Sequence, residues 1–211
     1  MSNQTCVEQD TAQDTADKPL EESQQIRANS YALLAALLAN SPSQELLAQL
    51  GGIDAEKDDE KHIVNAWSML KLAAERNNAE AIADEYQLLF IGVGKGELVP
   101  FGSWYLTGFL MEKPLAHLRQ RLLELGFEHQ EDVHEPEDHV AALCEVMAQL
   151  IIDDETDFET EKAFYTDFIS NWMSRFFQDL QQSETSGFYR AVGELGDAFL
   201  EIENRYFSMM V

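Results

Sequence analysis

Residues 136–152 read PEDHVAALCEVMAQLII. Val140, Leu143, Cys144, Met147, Leu150 and Ile151 recur at steps of three and four, the spacing of one face of a helix. Pro136 suits a first turn, and Glu137 and Asp138 beside it complement the positive end of a helix dipole. The stretch therefore predicts a helix begun by Pro136. Downstream, an acidic run over 153–159 precedes Phe164, Tyr165, Phe168, Ile169, Trp172 and Phe176, which predict one strongly aromatic helix with Trp172 in the core. Phe188, Val192, Leu195, Phe199, Ile202 and Tyr206 predict the last. Upstream, Leu115, Leu118, Leu122 and Leu125 follow Pro114 and stop at Gly126. Ile82, Tyr86, Leu89 and Phe90 mark another helix, as do Ile63, Trp67, Leu70 and Ala74. A short one runs through Glu45–Leu50, and Ile26, Tyr31, Leu33, Leu34, Leu37 and Leu38 share a face that ends at Ser41-Pro42. No stretch alternates with β-branched enrichment. The fold class predicted is all-α, a single-domain bundle of about eight to ten helices over residues 23–211, with residues 1–22 a disordered acidic tail.

The chain has 211 residues and is 45% hydrophobic, which suffices for a buried core. Its 39 acidic against 14 basic residues give a net charge of −25. That field repels phosphate backbones and anionic headgroups, which argues against nucleic acid and membrane surfaces as partners, and attracts Arg- or Lys-bearing peptides. Only Cys6 and Cys144 occur, without CxxC or zinc-ligand spacing, so neither a disulfide framework nor a structural metal is predicted. The first residues lack a basic and an apolar region, no apolar run reaches transmembrane length, and the expected compartment is the cytoplasm.

Two segments stand apart. Residues 91–105, IGVGKGELVPFGSWY, hold four glycines and a proline, and predict a loop carrying aromatic groups. GVGKG lacks phosphate-loop spacing and follows a helix, not a strand, so a nucleotide site is not predicted. Trp104 and Tyr105 either wall a peptide groove or cap the core. Glu135-Pro136-Glu137-Asp138-His139 is explained as a helix start except for His139, which one turn in would lie near carboxylates and hold a charge. His129, His134 and His139 are five apart, so nothing fixes a chelating face. Adjacent Glu137 and Asp138 point in different directions on a helix and make a poor acid–base pair. There is no G-x-S-x-G, no Walker motif and no catalytic constellation; a metal-dependent hydrolase using the turn 129–139 is the alternative.

Taken in order, Y-x-x-L-F-x-G (Tyr86, Leu89, Phe90, Gly92), P-x-x-S-x-Y (Pro100, Ser103, Tyr105) and E-P-x-D-H (Glu135, Pro136, Asp138, His139) resemble the TorD/DmsD/NarJ family of redox-enzyme maturation chaperones, over roughly residues 26–207. The resemblance implies an all-helical protein without cofactor or chemistry of its own. It would bind the twin-arginine signal peptide or the apo form of a molybdoenzyme catalytic subunit until the molybdenum cofactor is inserted. It also implies that Tyr86, Leu89 and Phe90 shape the helix beneath a groove lined by Trp104 and Tyr105, with Pro100 and Ser103 between. Glu135, Pro136, Glu137, Asp138 and His139 would form its acidic side. The long glycine-rich loop looks like the branch associated with formate dehydrogenase. Relatives can exchange helices between protomers, which leaves a homodimer open. Two guanidinium groups followed by an apolar stretch call for carboxylates beside an aromatic cleft, since Arg–carboxylate contacts are directional and apolar contact supplies most of the affinity.

Overall fold

A computed structural model describes residues 18–53, 61–92, 96–127 and 135–209. Ten α-helices and one π-helical turn occur among them: α1 (Lys18–Ala39), α2 (Gln44–Gly51), α3 (Lys61–Arg76), α4 (Ala79–Tyr86), the π-turn (Gln87–Ile91), α5 (Gly102–Thr107), α6 (Lys113–Glu124), α7 (Val140–Ile152), α8 (Phe158–Phe168), α9 (Met173–Gln182) and α10 (Phe188–Met209). The β-type pairing recorded among these residues is one isolated bridge between Phe101 and His139. The all-α expectation holds. None of the described helices is long and apolar enough to cross a membrane.

The apolar periodicity of α7 decides the packing. Ala141 and Ala148 are buried along with the predicted stripe, so the helix is apolar nearly all round and lies inside the bundle. It packs between α1 and α8. The long α10 collects α1, α3, α4 and α9 around itself. Close approach of α9 to α10 requires glycine: a Cβ on Gly196 would fall 2.3 Å from the Phe177 ring.

Several boundaries differ from expectation. Helix α1 begins at Lys18, inside the stretch expected to be tail; the rest of that expectation, over residues 1–17, lies outside the described residues. On α1 the predicted face is displaced, because Ile26 is 60% exposed while Arg27 is buried. The single aromatic helix is broken at 169–172 into α8 and α9, where Trp172 leaves helical backbone and its indole N–H donates to the Phe168 carbonyl (2.7 Å). Trp172 is core, as predicted.

Helix α7 starts at Val140, not at Pro136, because Pro136–His139 closes a turn in which the His139 N–H donates to the Pro136 carbonyl (3.1 Å). The predicted aromatic loop is shorter than expected. It is entered by the π-turn and left by α5, so Ser103, Trp104 and Tyr105 are helical. Glu97 and Leu98 fold back on the π-turn. The Leu98 N–H donates to the Leu89 carbonyl (2.8 Å), and a Cβ on Gly96 would lie 2.5 Å from the same oxygen, a position only glycine tolerates.

A buried ionic cluster went unseen in the sequence. Arg27 on α1 meets Glu203 on α10 through Nε (2.7 Å) and Nη2 (2.9 Å), and Glu161 on α8 through Nη1 (3.1 Å). The Tyr31 hydroxyl donates to Glu203 (3.1 Å), and the guanidinium lies 4.0 Å over the Tyr206 ring. Burial opposes the charge on Arg27, but Glu203 and Glu161 outweigh it and hold the guanidinium protonated. Burial pushes the Glu161 carboxyl up against the pull of Arg27. The cluster ties three helices together, and no short-range pattern announces contacts more than a hundred residues apart.

Candidate functional site

The two unusual segments meet. The Gly102 N–H donates to the Asp138 carbonyl (2.9 Å), the Ser103 N–H to Asp138 Oδ2 (2.7 Å), and the Val140 N–H to the Pro100 carbonyl (2.9 Å). Asp138 thereby satisfies the first N–H groups of α5, a helix of six residues that has few internal bonds of its own. This tertiary cap is why α5 forms where four glycines and a proline predict a loop.

His139 has a different role from the charged one expected. Only 5% exposed, it caps α7 by accepting the Ala141 N–H at Nδ1 (3.2 Å), and its ring stands edge-on to Phe101 at 5.0 Å. Burial lowers its pKa to about 4, so it is neutral at physiological pH. Asp138, 4% exposed, is equally part of the interior. Both lie deeper than a helix start on the surface would put them.

The turn separates two recesses. One, of about 220 Å³, is bounded by Gly102, Ser103, Leu106, Pro114, His117, Leu118, Asp138, Leu143, Asp167, Phe168, Asn171 and Trp172. The other, of about 480 Å³, takes Glu135, Pro136, Glu137 and His139 together with Glu145, Asn40, Phe127 and neighbours on α6 and α7. Among the described residues no Lys or Arg lines either. Of the residues bounding the first, Asp138 and Ser103 each bury an oxygen, Oδ1 and Oγ, that has no hydrogen-bond partner among the described residues. In the second, Glu137 is held by Arg119 through Nε and Nη2 (both 2.8 Å) while Glu135 is exposed.

The structure thus brings Ser103 and Asp138 into one recess and Glu135, Pro136, Glu137 and His139 into its neighbour. Trp104 and Tyr105 line neither. Tyr105 turns inward, its hydroxyl donating to Asp179 Oδ2 (3.0 Å) and its ring 5.4 Å from Trp172. Burial, with Asp179 adding to it, pushes its phenol well above the ordinary value. Tyr86, Leu89 and Phe90 lie beneath. The Tyr86 hydroxyl donates to the Leu38 and Ala39 carbonyls (3.2 and 2.9 Å), and burial pushes its pKa to about 12. A line of rings runs from Tyr86 through Phe90 and Phe176 to Tyr105 and Trp172, so these residues support the wall of the first recess from inside. Trp172 doubles as core residue and recess wall. Sequence reasoning passed over Asp167, Asn171, His117 and Leu106, which share no motif and are assembled only by the meeting of α5, α6 and α8.

Beside the first recess, the end of α5 exposes Leu106, and the segment joining α5 to α6 exposes Phe109, Leu110 and Met111, with Phe109 and Met111 68% and 71% exposed. Such contiguous apolar exposure marks an interaction surface. The hydrolase alternative finds no support: among the described residues no group of three or more His, Cys, Asp or Glu could hold a metal, and His129 and His134 lie outside them.

Residues 56–178 match the family model described as nitrate reductase delta subunit. The chain is 29% identical to the chaperone protein TorD of Vibrio parahaemolyticus over 77% of its length and 80% of that protein's. It is 27% identical to that of Photobacterium profundum, over 84% and 92%, and 27% identical to that of Aliivibrio fischeri, over 85% and 94%.

Proposed function

Because the chain belongs to the TorD/NarJ family of redox-enzyme maturation chaperones, we propose that its client is a molybdoenzyme catalytic subunit, held by the twin-arginine signal peptide while the molybdenum cofactor is inserted. The observation that carries this reading is the pair of carboxylate-lined recesses, free of Lys and Arg among the described residues, the first of them beside the exposed Leu106, Phe109, Leu110 and Met111. A twin-arginine leader offers the complement: two guanidinium groups, then an apolar stretch. Carboxylates select the arginines through directional paired contacts, and apolar contact supplies most of the hold. Binding of this kind is reversible sequestration and needs no nucleotide. Occupying the leader keeps the client from the export machinery until it is loaded.

The test is a calorimetric titration with a synthetic twin-arginine leader against the same peptide carrying Lys-Lys. The arginine peptide is expected to bind at least about tenfold more tightly, and its affinity to fall as salt rises. Equal affinity for the two peptides, or indifference to salt, removes the reading. Leaders from formate dehydrogenase and from trimethylamine-oxide reductase, compared side by side, sort the client branch; the formate dehydrogenase branch is favoured by the glycine-rich loop.

A further inference from the structure

We propose that His62 is a proton-operated staple between α3 and α10, closed when its ring carries a proton on each nitrogen and open when it carries one. The ring stands between two carboxylates of α10, with Nδ1 2.9 Å from Glu201 Oε2 and Nε2 3.9 Å from Glu194 Oε2. A neutral imidazole has a single N–H and turns a lone pair towards one of the two. The imidazolium donates to Glu201 and also faces Glu194 with positive charge. Glu194, Asp197 and Glu201 follow one another along α10 at steps of three and four, where like charges repel. Burial, with Glu201 adding to it, pushes the Asp197 carboxyl up against the Gln178 amide that donates to it (3.4 Å). The row has room for a cation, and α3 supplies one whose charge is optional near neutral pH.

Helix α3 needs the contact. It opens with Lys61 and His62 and has no acidic residue in its first turn, so positive charge meets the positive end of its dipole. The carboxylates of α10 provide the complement that α3 lacks. Among the described residues Glu201 acts on the ring most, then Glu194 and Asp197, and together they hold its pKa above 6.5 although burial opposes the charge. Lys61 neighbours it on its own helix, α2, which also packs on α3, carries one charged residue, Glu45, and Arg205 donates to the Glu201 main-chain carbonyl (3.4 Å). The stapled residues directly precede the walls of an apolar groove of about 260 Å³: His62 precedes Ile63, Glu194 precedes Leu195 and Glu201 precedes Ile202. Val64, Trp67 and Phe199 complete these two walls, and α1 forms the third. With the staple open, the first turn of α3 loosens and its wall of the groove moves with it. Because the folded pKa is raised, the staple is complete below 6.5 and is lost as pH rises through the folded value. His139, whose pKa burial lowers, responds in the opposite sense. His62, Glu194 and Glu201 line neither recess at the 135–139 turn, so the staple is independent of the client.

The experiment is a pH titration of the full chain by NMR, following the His62 ring protons, which are assigned by their loss in His62→Gln. A midpoint above 6.5 is expected, lowered in Glu194→Gln, lowered further in Glu201→Gln, and returned close to the ordinary value when both are replaced. A wild-type midpoint at or below 6.5, or one that the double replacement leaves unmoved, overturns the staple. His62 and Glu201 are exposed and Glu194 is half-buried, so these variants keep the fold. Amide hydrogen exchange at Asn65, Ala66 and Trp67, whose N–H groups close the first turn of α3, reads the mechanical consequence. Exchange in wild type is expected to be about threefold slower than in His62→Gln below the midpoint and equal to it above. A ratio that is the same at every pH makes His62 a spacer and overturns the switch. The Trp67 indole N–H, on the groove wall, is expected to shift with the His62 midpoint; an indole unmoved through that titration overturns the coupling to the groove.

Discussion

Two buried carboxylate sites in this bundle are built to opposite rules. At the junction of α1, α8 and α10, Glu203 and Glu161 are matched by Arg27, Tyr31 adds a hydrogen bond, and no oxygen of the pair is left buried and unpartnered. At the junction of α5, α6 and α7, Asp138 uses one oxygen to cap a helix and leaves the other buried without a partner among the described residues. The first site is self-sufficient. The second is incomplete, and an incomplete buried carboxylate is more economically explained by a ligand than by architecture.

The sharpest way to break the comparison is at the complete site. Glu203→Gln strips Arg27 of its main partner and is expected to cost about 3–5 kcal/mol in chemical denaturation. A loss under about 1 kcal/mol would show that the cluster does not hold the helices. His139→Ala removes a buried ring and the cap of α7, and should cost about 2 kcal/mol by the same measurement. Asp138→Asn is the contrast: it retains an acceptor for the Ser103 N–H and deletes an uncompensated charge, so stability stays within about 1 kcal/mol of wild type.

His139 also sets a pH signature. Its pKa is about 4 in the fold against 6.5 ordinarily, because burial penalises the charged form. Below the ordinary value the unfolded chain takes up the proton first, so stability is lost as pH falls from 6.5 towards 4 and is intact above that window. Wild type minus His139→Gln, followed by denaturation across that range, isolates the slope; a flat difference would place His139 in water. The smallest effect belongs to Asp167→Asn, within about 0.5 kcal/mol of wild-type stability in a melt.

Much of the helical order was legible because apolar spacing is a local property: the α7 stripe, the α10 stripe and the stop at Gly126 all needed only nearby residues. What escaped was non-local. Arg27 belongs to no apolar stripe, and only α8 and α10 reveal it as buried. The α5 helix was hidden by glycines because its cap comes from Asp138, thirty-five residues away. The motif residues were legible as unusual, but not their division. Tyr86, Leu89 and Phe90 turned out to be interior supports, Tyr105 faced Asp179, and Trp172, which looked like plain core, walls a recess with Asp167 and Asn171 beside it.

The most direct trial is a paired titration of wild type and Asp138→Asn with the twin-arginine leader, each protein melted under the same conditions. The bare oxygen predicts about tenfold weaker binding with the melting temperature essentially unchanged. Unchanged affinity in a variant that folds as well as wild type would contradict the reading that Asp138 takes part in holding the leader.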